Sequence, residues 1–317
     1  MDQNNSCAVG IYITRNCNLN CEYCTVKDKK LVELNYEQWC DAFDIVADIG
    51  VTKVNILGGE PTIKKDIDRI IKYAVQEKKL AISLISNGTS DFEMLKKLVD
   101  SGLQSFSSSV DVLDGTSSDV SSSIKSKVGL ESLKKMKEYG INDLTAYCVL
   151  SRITMPRIVN QIKVLSDLGI ATYILPFHYG KGEEFWQTRA KNYNPKLSLT
   201  AENTEELKAV TDQILELKNN GYLVKNSYSY LRNLVNNYIG FKWHCTDIMS
   251  ELRIDADGKL MYCHDYSGDS PDRISIFDIR DKVKFEAYKQ KRREGIKNCP
   301  GCYWPSQYHN LEALTDN

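Results

Sequence analysis

The sequence predicts an α/β fold, a parallel sheet of six βα units followed by a smaller C-terminal segment rich in cysteine. Three observations predict it. Up to about residue 180, short β-branched or apolar runs alternate with charged amphipathic stretches of helical length. After residue 180 the composition turns polar with interspersed aromatics, and two helical patterns follow. Seven of the ten cysteines fall into two groups, one directly after the first strand-like run and one near the C-terminal end.

The strand-like runs occupy 9–14, 53–57, 81–86, 105–111, 144–150 and 172–177, with amphipathic helical stretches such as 36–49, 64–78 and 156–168 between them. Repeated right-handed βα crossovers make the sheet parallel, and ligands gather beyond the C-terminal ends of its strands. The stretch 180–195, containing KGEEFWQTRAKNYNP, reads as a long loop that either contacts the substrate or simply connects. Helical patterns at 202–219 and 228–239 bridge to the last segment.

With 317 residues and 42% hydrophobic content, the chain is long enough for one large core and an appendage. Its 41 basic and 42 acidic residues nearly cancel, which argues against a nucleic-acid coat or a membrane-surface protein. No apolar stretch approaches the roughly 18 residues of a membrane span, and the opening MDQNNSCAVG lacks a secretory apolar region. A cytoplasmic location is expected, where cysteines bind metal more often than they form disulfides. Cys7, Cys40 and Cys148, outside both groups, read as buried small apolar residues.

Cys17, Cys21 and Cys24 in RNCNLNCEYC stand at the spacing C-x3-C-x2-C. Zinc usually takes four ligands, often in two close pairs, and no fourth partner stands near this group. Three thiolates at this spacing can hold three irons of an iron–sulfur cube and leave the fourth open. The motif resembles that of the radical S-adenosylmethionine (SAM) enzymes, in which the methionine amino and carboxylate groups chelate the open iron of a [4Fe–4S] cluster. Reductive cleavage of SAM there releases a 5′-deoxyadenosyl radical that takes hydrogen from the substrate. Tyr23, just before the last cysteine, matches the family's aromatic position beside the adenine. The resemblance implies an open, partial (β/α)6 TIM-type barrel whose lateral gap admits large substrates.

Further cofactor contacts follow strand by strand. The second run ends in NILGGEPT, where Gly58 and Gly59 allow close backbone approach and the Glu60 carboxylate can meet a cation. Alone this is an ordinary tight turn; one βα unit after the cysteine loop it resembles the family's GGE motif, which binds the methionine ammonium. The third run ends in SNGT, either a plain turn or a cofactor contact through Ser86, Asn87 and Gly88. In the fourth, SFSSSVDVLDG, alternation places Ser107, Ser109 and Asp111 on one face. It resembles the family's S-x-D-G region, although the glycine comes late, at Gly115, and marks Ser109 and Asp111 for ribose or carboxylate contacts. After the fifth run stand Ser151 and Arg152, the latter either a carboxylate clamp or a solvated loop arginine. The sixth run ends in PFHYG, which makes His178 and Tyr179 substrate-contact candidates, against a structural role for a lone histidine.

The C-terminal group consists of Cys245 and Cys263, spaced C-x12-G-x4-C through Gly258, and of Cys299 and Cys302 in CPGC. Four thiolates from a strand–turn–strand and a later loop can enclose one metal centre, structural zinc or an iron–sulfur cluster. The pattern resembles the twitch domain, a shortened SPASM extension behind radical SAM barrels that carries one auxiliary [4Fe–4S] cluster. His244 and His264 flank Cys245 and Cys263 as hydrogen-bond partners, alternative ligands or ordinary polar neighbours. The basic run KQKRREGIK reads as an anion-binding patch or as the solvated face of a helix.

The resemblance thus implies a small C-terminal α+β twitch-like iron–sulfur domain, with the barrel at 1–200, a helical bridge at 201–242 and the auxiliary domain at 243–317. It implies a flavodoxin- or ferredoxin-type electron donor and a small-molecule or peptide substrate. An auxiliary cluster held by four cysteines suits removal of a second electron from a substrate radical, hence net two-electron oxidation of a small metabolite. The absence of a peptide-recognition domain before Cys17 leans the same way. The other readings are modification of a ribosomal precursor peptide and, from another class, a non-catalytic iron–sulfur electron carrier.

Overall fold

The computed structural model describes residues 8–21, 24, 26–28, 30–113, 120–177, 194–240, 242–245, 251–263, 273–299, 301–306 and 308. Six strands, β1 Ala8–Tyr12, β2 Lys53–Leu57, β3 Ala81–Ser86, β4 Ser105–Ser109, β5 Asp143–Leu150 and β6 Ala171–Pro176, alternate with helices α1 Tyr36–Asp48, α2 Ile67–Gln76, α3 Phe92–Asp100, α4 Val120–Glu138 and α5 Ile158–Asp167. Two helices, α6 Thr204–Asn219 and α7 Tyr228–Tyr238, lead to a short pair, β7 Glu251–Ile254 and β8 Leu260–Met261, and to α8 Lys282–Asn298. All expected βα strands are present and parallel, in the order β6-β5-β4-β3-β2-β1-β7-β8. β7 joins β1 in parallel register, Gly10 opposite Arg253, and β8 returns antiparallel. The C-terminal strand–turn–strand therefore extends the same sheet.

Local chemistry sets the boundaries. Asn35 starts α1 with a capping box, its side chain accepting from the Gln38 N–H at 2.9 Å while Gln38 accepts from the Asn35 N–H at 3.0 Å. α2 begins later than residue 64 because Pro61–Ile63 first forms a single tight 3-10 turn. β4 ends two residues before 111, since the Asp111 and Val112 N–H groups leave the ladder and donate to Ser126 Oγ, at 2.9 and 3.2 Å. α4 buries Lys125, Ser126 and Ser132, so a helix that covers the sheet carries no clear apolar stripe.

Both sheet edges are covered. On β6, Thr172 donates its N–H to the Leu223 carbonyl at 2.7 Å, and the Asn226 amide pairs with the Ile174 backbone in both directions. Beyond β8, Leu260 donates to the Ile274 carbonyl at 2.8 Å. These contacts satisfy strand groups that would otherwise template association. The helix-facing residues of the sheet, among them Val9, Ile11, Val54, Ile56, Ile82 and Leu84, bury against Trp39, Phe43, Ile70 and Leu95. Among the described residues no helix is long and apolar enough to cross a membrane.

Cys148 is fully buried, as its apolar reading expects, and burial pushes its thiol far above the usual range. Cys40 departs from that reading: it is half-exposed on α1, where its thiol neighbours the Tyr36 hydroxyl. Cys7 lies outside the described residues. The basic run falls on α8, whose buried side chain is Tyr288, and this fits the solvated-helix reading.

Candidate active site

The loop after β1 is held from two sides before it reaches the cysteines. Glu33 Oε1 accepts from Thr14 Oγ1 and from the Arg15 N–H, both at 2.7 Å. The Arg15 guanidinium stacks over Tyr12 and bonds buried Asp255, Nε to Oδ1 at 2.6 Å. The loop then curls, with the Cys24 N–H on the Cys21 carbonyl at 3.1 Å. Cys17, Cys21 and Cys24 all line one cavity of ≈ 280 Å³ beyond the strand ends.

Among the described residues no three Cys, His, Asp or Glu side chains converge on a single-ion site. An iron–sulfur cube is wider than one ion and takes its thiolates from around a space. The residues fit that demand. Cys17 Sγ accepts from the Leu19 N–H at 3.5 Å and faces the Asn87 amide at 3.9 Å, donors that favour a thiolate. Burial pushes the Cys17 thiol up, and these two donors pull against it.

Gly58 and Gly59 also line the cavity, and the close approach they permit is first to the cysteine loop itself. A Cβ on Gly58 would lie 2.4 Å from Thr14 O, and one on Gly59 2.1 Å from Asn16 O. The Gly59 and Glu60 N–H groups donate to those same carbonyls at 2.8 Å, so the two loops are stitched backbone to backbone. Glu60 is fully enclosed and is not among the residues lining the cavity. Its Oε1 accepts from Thr62 N–H, Thr62 Oγ1 and Ser86 Oγ, and its Oε2 from the Asn87 N–H at 2.6 Å. Burial raises its pKa while these four donors oppose the rise. In this arrangement Glu60 fastens the SNGT turn to the glycine turn.

The SNGT segment is both a turn and part of the wall. Ser86 and Asn87 line the cavity, and Asn87 Nδ2 ties the turn to Asn18 Oδ1 at 2.9 Å. Gly88 sits at φ +81 with Gly129 of α4 so close that a Cβ would meet its Cα at 2.5 Å. Ser109 lines the cavity. Asp111 stands behind the wall: Oδ1 accepts the Val149 N–H at 3.0 Å and Oδ2 pairs with Lys125 at 2.7 Å. Lys125, which sequence reasoning missed, is the cation that reaches the cavity there.

This buried pair yields a stability prediction. Lys125→Met leaves Asp111 enclosed without its cation, and a loss of about 3–5 kcal/mol is expected. Adding Asp111→Asn to that variant should recover part of the loss in urea unfolding, and strict additivity of the two changes would show that the pair does not act as a unit.

Ser151 and Arg152, expected after the fifth strand as cofactor contacts, stand elsewhere than the cysteines and the glycine turn. Neither lines the cavity. Ser151 is buried in a local turn, its N–H on Thr154 Oγ1 at 2.8 Å. The chain then turns away from the strand end, and Arg152 bonds Asn203 Oδ1 at 3.2 Å near the start of α6 as a loop arginine. Tyr23, Gly115, His178, Tyr179, His264 and nearly all of the 180–195 loop lie outside the described residues.

Several cavity residues carried no motif. Asn55, Tyr147, Tyr173, Glu251 and Arg253 are inward-facing strand positions, and Trp304 comes from the C-terminal segment. The signal that finds them is period-two alternation counted in from the strand ends. The segment bearing Trp304 docks on α7, where Tyr230 OH donates to the Tyr303 carbonyl at 2.8 Å and the Tyr238 and Tyr303 rings meet edge-on. Cys302 donates its N–H to Trp243 O at 2.8 Å, which brings Cys302 beside the segment that carries Cys245. Cys245, Cys263 and Cys299 are half-buried, Cys302 is buried and accepts the Trp304 N–H at 3.4 Å, and His244 is exposed.

Residues 11–164 match the Radical SAM superfamily. GTP 3′,8-cyclase of Aliarcobacter butzleri (strain RM4018) is 26% identical over 214 residues, covering 64% of this chain and 61% of that protein. The chain thus spans less than two thirds of that relative's length. Streptococcus suis SuiB bound to S-adenosylmethionine superposes with a TM-score of 0.70 at 16% identity, over 93% of this chain and 68% of SuiB. Native anSMEcpe with bound AdoMet and Cp18Cys peptide gives 0.68 at 19%, over 92% and 82%. At these identities the likeness is one of fold.

Proposed function

We infer, from the premise that the chain belongs to the radical SAM superfamily through residues 11–164, that it is an enzyme taking hydrogen from a substrate held in the barrel cavity. The observation that carries this reading is the meeting of Cys17, Cys21 and Cys24 with Gly58, Gly59 and Asn87 on one wall of that cavity. SAM and a [4Fe–4S] cluster are the cofactors of the superfamily; bound together they supply a 5′-deoxyadenosyl radical. The three cysteines would hold the cluster. The glycine edge and Ser109 leave room for SAM, Asn87 orients the Cys17 sulfur, and Lys125 brings positive charge to the wall. Glu60 positions Asn87 from behind rather than lying along the cavity. Tyr147, Tyr173, Phe177 and Trp304 add an aromatic lining to that cavity.

In this reading residues 1–200 form the catalytic barrel, 201–242 the bridge, and 243–317 the auxiliary segment, with Cys245, Cys263, Cys299 and Cys302 holding one further [4Fe–4S] cluster. Such a cluster favours net two-electron oxidation of a small metabolite. The near-balance of 41 basic and 42 acidic residues fits a cytoplasmic protein that binds neither nucleic acid nor membrane. A flavodoxin- or ferredoxin-type donor would reduce it.

The test is 5′-deoxyadenosine formation by the anaerobically reconstituted, reduced protein with SAM, given either a low-mass cell filtrate or the retained fraction. Stimulation by the filtrate is the expected result. Stimulation only by the retained fraction would move the substrate to a peptide or protein, and no cleavage at all with intact clusters would leave the electron-carrier reading standing.

A further inference from the structure

The cavity lining carries charge that the proposed cofactor contacts do not include. Glu251 and Arg253 stand two apart on β7, so both project to the inner face, where their side chains pair with each other at 5% and 3% exposure. The strand beside them makes room: Gly10 of β1 is the register partner of Arg253. A Cβ on Gly10 would lie 2.9 Å from Glu251 Oε1 and 3.4 Å from Arg253 Nη1. Glycine inside a strand weakens it, and an enclosed ion pair is costly to desolvate. Two unfavourable choices at one point of a cavity wall mark a site kept for binding. Tyr147 and Tyr173, whose ring centres are 5.0 Å apart, line the same cavity.

Among the described residues the charge on this wall is balanced. Lys125 and Arg253 are the described Lys and Arg side chains lining the cavity, and each already faces a carboxylate, Asp111 at 2.7 Å and Glu251 respectively. A nucleoside triphosphate brings several negative charges, and their enclosure needs cations in excess. A paired carboxylate and guanidinium instead offer lone pairs and N–H groups side by side, complementary to a ligand with its own donor and acceptor and no net charge.

We propose that Glu251 and Arg253, set over Gly10, recognise a small substrate of zero net charge that presents an amino group and a carboxyl group together, a free amino acid or close derivative, and that the cavity does not accept GTP. This rests on the reading of the cavity as the place where hydrogen is taken. It separates the chain from the substrate printed in the name of its Aliarcobacter butzleri relative.

The test is anaerobic equilibrium dialysis of the SAM-loaded holoprotein against three probes in separate arms: GTP, an equimolar pool of the free L-amino acids, and the same amino acids as N-acetyl amides to represent a peptide residue. Retention of at least one free amino acid, at least tenfold above GTP, is expected, and Arg253→Ala should abolish it. Glu251→Gln should gain affinity for inorganic pyrophosphate at least tenfold over the parent, because removal of the carboxylate leaves positive charge in excess; thermal unfolding checks that the variant is folded. GTP retained above the amino acids, retention confined to the N-acetyl amides, no retention in any arm, or no pyrophosphate gain in folded Glu251→Gln would each overturn the proposal. The radical reading fails separately, by the absence of 5′-deoxyadenosine from holoprotein with intact clusters whatever dialysis shows.

Discussion

Asp255→Ala is expected to destabilise the protein by about 3–5 kcal/mol, because it strips the partner from buried cations. Asp255 is fully buried and accepts from Arg15 Nε at 2.6 Å, the Ala256 N–H at 2.8 Å and Arg273 Nη1 at 3.1 Å. Arg273 keeps a second carboxylate, Asp257 at 3.1 Å, whereas the Arg15 side chain is left with Tyr12 and the Met261 sulfur. A guanidinium cannot shed its charge to escape burial, so water must enter or the loop must move. The loop in question is the one that carries Cys17, two residues further on. The same change should therefore lower cluster content per chain after reconstitution. Asp255→Asn retains an acceptor for Arg15 and should fall between parent and alanine variant. A urea midpoint for Asp255→Ala equal to that of the parent would show that this network does not hold the cysteine loop to the C-terminal strands.

The alternation of apolar and amphipathic runs made the six parallel strands legible, β6 through a near-continuous buried run and β2 through alternation, with Val54 and Ile56 buried beside exposed Lys53 and Asn55. α4 was harder to read, since Lys125, Ser126 and Ser132 face inward and weaken its apolar stripe. Nor does the sequence say that β7 pairs with β1, a contact that spans most of the chain. In the site, the cysteines and the paired glycines were legible because their chemistry is tied to local spacing. Arg152, a residue type suited to a carboxylate, turns to Asn203, a contact that no local pattern announces. Lys125, Glu251 and Arg253 were invisible one at a time; each matters through a partner distant in sequence or through the strand beside it.

Gly59→Ala should reduce 5′-deoxyadenosine formation about 10²-fold, the scale of loss that a 1 Å displacement of a catalytic arrangement produces. The added methyl carbon would start 2.1 Å from Asn16 O, 2.6 Å from Asn16 C and 2.7 Å from Arg15 O, all backbone atoms that no side-chain rotation can withdraw. One loop must therefore retreat, and the Gly59 N–H bond to Thr14 O and the Glu60 N–H bond to Asn16 O lengthen with it. Cys17 follows Asn16 directly, so the displacement passes to a cysteine of the cluster loop. The stability cost of such overpacking is about 1–3 kcal/mol, too small to unfold a chain of ordinary stability. Gly221→Ala supplies the control: it imposes strain at φ +86, but its Cβ meets nothing within 4 Å. That control should lose stability and keep its rate. A Gly59→Ala protein with full cluster content and the parental rate would mean that the two loops can part without moving the cysteines, and the close stitching of the glycine turn to the cysteine loop would then have no catalytic consequence.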